Sequence, residues 1–124
     1  MNNRTIFITS IDTTVTDAIV LVPNREIKNI INANNYTLIV ACNVEATSNL
    51  PVKIKTALGN IDVLCKYGNT VIANMINKRT RYVVGYGNEN PNYTLGQFVI
   101  FNCNCLNARG TETTTTEEVT TNEG

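Results

Sequence analysis

Residues 50–86 leave room for little besides short strands and tight turns, and this stretch constrains the whole chain. Val52, Ile54 and Thr56 alternate with Lys53 and Lys55, the pattern of a strand with one buried face and one wet, basic face. Ala57-Leu58-Gly59-Asn60 then turns the chain, and residues 61–66 return it antiparallel with Ile61, Val63 and Cys65 sharing a face. Tyr67-Gly68-Asn69 supplies a glycine for positive φ, residues 70–72 resume a short extended piece, and 73–77 have the length of one helical turn. Another strand follows over 79–86, where Thr80, Tyr82, Val84 and Tyr86 alternate with Arg79, Arg81, Val83 and Gly85.

The flanking sequence extends this sheet. Residues 5–9 and 17–22 are β-branched and aromatic runs, the second ended by Pro23, which cannot donate to a central ladder. Ile27, Ile30 and Ile31 stand at helical spacing, yet their segment is short and β-branched. It reads as a short strand or a single helical turn laid across an end of the sheet. Tyr36, Leu38, Val40, Cys42 and Val44 alternate with the partly apolar Thr37, Ile39, Ala41 and Asn43, as in the middle of a sheet. Residues 87–92 are a loop by composition. The last strand covers 98–105, with Val99, Phe101, Cys103 and Cys105 expected inward and Asn102 and Asn104 outward. The expectation is one all-β domain over 1–107, a small antiparallel β-sandwich or barrel of seven to eight short strands.

Composition agrees. Asn occurs 20 times and Thr 18 times in 124 residues, a mixture suited to strands joined by many tight loops. Charge divides the chain: nine Lys/Arg and six Asp/Glu over residues 1–106 leave +3, while Arg109 against four Glu leaves −3 over 107–124. With Val119 its only apolar residue after Ala108, the Thr/Glu-rich stretch 108–124 reads as a disordered acidic tail. A surplus of three positive charges is small for a nucleic-acid binder. No run approaches the 18 or more apolar residues of a membrane span, and the N-terminus lacks a signal-peptide pattern. The expected setting is a cytosol, where Cys42, Cys65, Cys103 and Cys105 are thiols and the sequons at Asn3, Asn35 and Asn92 are coincidental.

Few residues offer chemistry. The chain has no histidine, which removes every mechanism built on a His base or ligand. Cys103-Asn104-Cys105 lacks the second close pair that structural zinc uses, so two small thiols packed on a core are expected, with no metal and no cofactor. Asp12 and Asp17 read as solvated or turn-capping loop carboxylates, and Gly85-Tyr86-Gly87 reads as a strand end. The basic side chains of the 50–86 block admit two readings. One is an ordinary wet face that keeps sheet edges from pairing; the other is a contact surface for an acidic partner, including the tail of a second copy. The contact candidates are Lys66, Tyr67, Arg79, Arg81 and Tyr86.

The runs Leu50-Pro51-Val52-Lys53-Ile54, Val63-Leu64-Cys65-Lys66-Tyr67-Gly68-Asn69, Ala73-Asn74-Met75-Ile76 and Arg79-Thr80-Arg81-Tyr82-Val83-Val84-Gly85-Tyr86-Gly87 carry a resemblance. They are similar to a group of small proteins encoded in gut tailed phages of the crAss-like kind and in some Clostridia. The resemblance covers residues 36–105; Met75 and Ile76 stand near the usual Leu, arginines are fewer and the tail is added. It implies a small all-β structural protein on a virion head and gives no catalytic residue. Two functions are therefore expected in order. The first is a non-enzymatic capsid decoration or head-fibre-associated protein, made in the host cytoplasm. It docks on the major capsid protein, another virion protein or a second copy through apolar burial and strand-edge pairing, with no nucleic acid and no membrane involved. The second is a soluble carbohydrate- or protein-binding β-sandwich module using its tyrosines, and an enzyme comes third.

Overall fold

The computed structural model describes residues 4–44 and 48–102. The expected positions Cys103 and Cys105 and the tail 108–124 lie outside the described residues. The domain is a closed barrel of seven strands: β1 (Arg4–Ile11), β2 (Ile19–Pro23), β3 (Ala33–Val40), β4 (Val52–Thr56), β5 (Gly59–Cys65), β6 (Arg81–Gly87) and β7 (Gln97–Ile100). Around the wall the order is β1-β2-β4-β5-β7-β6-β3, and β3 returns to β1. A barrel thus replaces the choice between sandwich and barrel that the sequence left open. Four pairs are antiparallel and three are parallel, namely β1 with β3, β2 with β4 and β5 with β7. The sheet is therefore mixed and not wholly antiparallel.

Closure pairs each of the seven strands on both sides, so among the described residues the barrel wall leaves no open strand edge of the kind expected for edge pairing. The registers define the ends: β1, β3, β5 and β7 start at what we call the lower end and run to the upper end, and β2, β4 and β6 run back.

Side chains fill the interior. Ile6, Ile8, Leu38, Val40, Ile54, Ile61, Val63, Val84, Phe98 and Ile100 are among those buried inside, following the period of two along each strand. Two details depart from expectation. In β7 the inward residues are Phe98 and Ile100, both fully buried, while Val99 and Phe101 are half-buried on the outer side. Phe98 faces inward because Tyr36 and Tyr86 flank it there, with ring centroids 6.1 and 5.3 Å away. Phe101 lies outside against Gly85, where a Cβ would come within 3.0 Å of its ring. Residues 25–32 form neither helix nor strand, and β3 begins already at Ala33. Their backbone groups bond to neighbours instead of to one another: the Ile27 carbonyl accepts from Ala57 N–H at 2.9 Å, and Tyr36 Oη bridges both backbone groups of Ile31.

Both ends are plugged. At the upper end β4 and β5 part around residues 69–72, with Val71 N–H donating to the Val63 carbonyl and its own carbonyl accepting from Val52 N–H. Val71, Ala73 and Ile76 are buried there around a 3-10 turn (Ala73–Met75), at the position expected for a helical turn. The lower end is crossed by residues 24–32, whose Ile27 and Ile30 pack partly buried on the core.

Candidate functional site

Each end carries a different surface. Four of the five contact candidates are exposed at the upper end. Lys66 and Tyr67 ride on the turn that follows β5, where the Lys66 ammonium sits 5.2 Å from the Tyr67 ring centroid. Arg79 and Arg81 flank the entry to β6, and neighbouring Lys78 donates to Asn43 Oδ1 at 3.1 Å. No hydrogen bond or ring contact joins the two groups among the described residues, so the structure brings these residues to one end but not into one cluster.

Tyr86 does not belong to that surface. It is 6% exposed near the lower end, packed on Phe98, and its hydroxyl donates to the Leu95 carbonyl at 2.6 Å. Its neighbour in the pattern, Tyr82, is buried too, and its hydroxyl accepts from Asn77 N–H at 2.7 Å. With Tyr36, these rings place an apolar body in the core and pin a loop with the hydroxyl. They are loop anchors and not stacking platforms, which leaves Tyr67, at 59% exposure, as the open aromatic face among the described tyrosines.

Burial, and secondarily the nearby Tyr36, pushes the Tyr86 phenol above its ordinary value of 10.0. A folded pKa above the unfolded one makes this contribution to stability fully present below pH 10, and it is lost as pH rises through the folded pKa. Denaturant titrations from neutral to strongly alkaline pH should therefore show a loss of stability that Tyr86→Phe removes in part. An identical alkaline profile in the variant would contradict this assignment.

The acidic and thiol candidates are local. Hydrogen bonds from the Thr14 hydroxyl (2.6 Å) and backbone N–H (3.0 Å) hold the half-buried Asp12 carboxyl below its usual range, and Asp12 lies 3.9 Å from Lys55. This caps the 12–14 turn. Lys53 pairs with Asp62 across β4 and β5 at 3.5 Å. Cys42 and Cys65 carry free thiols, and burial pushes the Cys42 thiol up. Among the described residues no group of three Cys, Asp or Glu is placed to hold a metal ion.

The lower end holds what the sequence did not single out. Ile31 before β3, Leu58 in the β4–β5 turn and Leu95 before β7 are 49%, 54% and 38% exposed. A Cβ on Gly59 would come within 2.9 Å of Leu95 Cδ1, so Leu95 lies directly against the Leu58–Gly59 turn. These three loop residues have no strand or helix periodicity to mark them; only barrel closure brings them to one end. Of the five large apolar residues exposed among the described residues, three are here.

Comparison with protein-family models, curated proteins and solved structures finds no match.

Proposed function

We propose that the chain is a non-enzymatic virion structural protein, a capsid decoration or head-fibre-associated protein that seats its lower end on a repeating protein lattice. The observation that carries this reading is the polarity of the barrel. Ile31, Leu58 and Leu95 are exposed at one end, while the chain leaves β7 for its Thr/Glu-rich segment at the other. Seated this way, the apolar end loses water, and the end at which the chain leaves β7 faces away from the lattice. The resemblance of the 50–87 runs to small phage structural proteins supports the same assignment and supplies the virion as its location. The interior is filled by core side chains, so recognition falls to the surface.

Magnitudes fit a docking module that works in many copies. Completing the burial of three half-exposed aliphatic side chains contributes about 2–4 kcal/mol, from about 1.5–3 kcal/mol for each full burial. This is modest alone and sufficient when a lattice offers several linked sites. The direct test is quantitative mass spectrometry of particles from the source culture, with copy number scored against the major capsid protein. Copies in the tens to hundreds are expected, and absence from particles would shift the reading to a free binding module. Ile31→Glu with Leu58→Glu should lower the copy number about tenfold or more, the factor set by losing 1.4 kcal/mol. Thermal stability should change little, because both side chains are already half exposed.

A further inference from the structure

We propose that the rim formed by Lys78, Arg79 and Arg81 at the upper end is the seat of the chain's own acidic C-terminal segment, residues 107–124. Four observations converge on that occupant. None of the three cations has a carboxylate within ion-pair range among the described residues, whereas Lys53 and Lys55 on the barrel wall each have one. The chain starts toward the segment from this rim. Asn102 is clipped to β6, its Oδ1 accepting from Val83 N–H at 2.8 Å and its Nδ2 donating to the Arg81 carbonyl at 3.0 Å. The charges match, because the segment carries four Glu against Arg109, a net −3. Finally, Arg79 sits at φ 68, a left-handed conformation that Gly or Asn adopts at lower cost, and presents its side chain to solvent.

Reach is sufficient. Glu112 stands ten residues beyond Asn102, a span of up to about 35 Å when extended, and threonines without bulk surround the carboxylates. Exposed ion pairs are individually weak, so the seat depends on several pairs, low salt and the high effective concentration of a tethered segment. Tethering favours the segment of the same chain over that of a second copy.

The test uses the full-length, isotope-labelled chain and its variant E112Q/E117Q/E118Q/E123Q, compared by amide and arginine side-chain resonances in reducing buffer. At about 10 mM salt, where the screening length is about 30 Å, the two spectra should differ at residues 78–82 and in the Nε–H signals of Arg79 and Arg81. At about 1 M salt, with screening near 3 Å, the differences should collapse. Arg79→Gly should shrink the low-salt differences without lowering the thermal midpoint, since glycine suits the backbone there. Superimposable spectra at low salt would overturn the proposal, and so would differences confined to Arg25 and Lys28 at the lower end. Differences that vanish on roughly tenfold dilution would assign the seat to a second copy's segment and overturn it equally.

Discussion

Phe98→Ala should lower the free energy of unfolding by about 3–5 kcal/mol, the cost of removing a fully buried aromatic ring from a core that collapses only in part. Phe98 is wholly inaccessible and stands between Tyr36 and Tyr86, with edge-on and tilted ring contacts at 6.1 and 5.3 Å. In a barrel the cavity cannot close cheaply, because both neighbours of β7 are held by their own ladders to β4 and β3. Against a total stability of about 5–15 kcal/mol, the variant is expected to be marginal. The control is Val99→Ala, on the outer side of the same strand, where about 1 kcal/mol or less is expected. Urea unfolding followed by circular dichroism measures both. A Val99→Ala loss equal to or larger than that of Phe98→Ala would mean that β7 is turned the other way.

That comparison also shows where the sequence was legible. Val52–Thr56 alternates strongly enough for its inward set to be read directly, and Val52, Ile54 and Thr56 pack inward as read; Tyr36–Val40, Ile61–Cys65 and Tyr82–Tyr86 show which residues share a face, and packing decides that the face of Leu38, Val63 and Val84 is the inner one. Phe98-Val99-Ile100-Phe101 is apolar at both phases, so periodicity alone cannot choose a face. The choice is made by distant residues: the two tyrosines inside, and Gly85 on the outer face of β6, which leaves room for the Phe101 ring. The parallel pairings are hidden for the same reason, since partner choice is set by packing between segments far apart in the chain. Residues 25–32 misled through helical spacing of Ile27, Ile30 and Ile31, but the backbone there finds its partners in Ala57 and Tyr36. At the surface, Lys66, Tyr67, Arg79 and Arg81 were readable as outward positions. Tyr86 was not, because an aromatic at a strand end has a hydroxyl that suits either a wet face or a buried loop carbonyl.

Gly96→Ala is the second large effect expected, and it ties the core to the lower end. Gly96 has φ +84 and closes a turn in which its N–H donates to the Tyr93 carbonyl at 2.9 Å. An L residue in that conformation costs about 1–2 kcal/mol. The added Cβ would also run into the Tyr86 hydroxyl, lie 2.6 Å from its Cζ and 2.7 Å from the Gly87 carbonyl oxygen. Relief requires either the turn or the Tyr86 ring to move, and the ring is wedged on Phe98. Forced repacking of this kind adds about 1–3 kcal/mol, for a total loss of about 2–5 kcal/mol. Gly68→Ala separates the two contributions: Gly68 has φ +90 with nothing within 4 Å of a Cβ, so only the backbone cost applies. Adding Tyr86→Phe to Gly96→Ala should then recover part of the excess, giving a coupling of about 0.5–3 kcal/mol in a double-mutant cycle. Equal losses for Gly96→Ala and Gly68→Ala would refute the clash. Because Leu95 precedes Gly96 and its carbonyl is the acceptor for Tyr86, displacing this turn also moves one of the three exposed aliphatic residues of the lower end. If the lower end seats on a lattice as proposed, that binding should weaken in Gly96→Ala even at temperatures where the barrel remains folded, while Gly68→Ala, at the opposite end, leaves it unchanged.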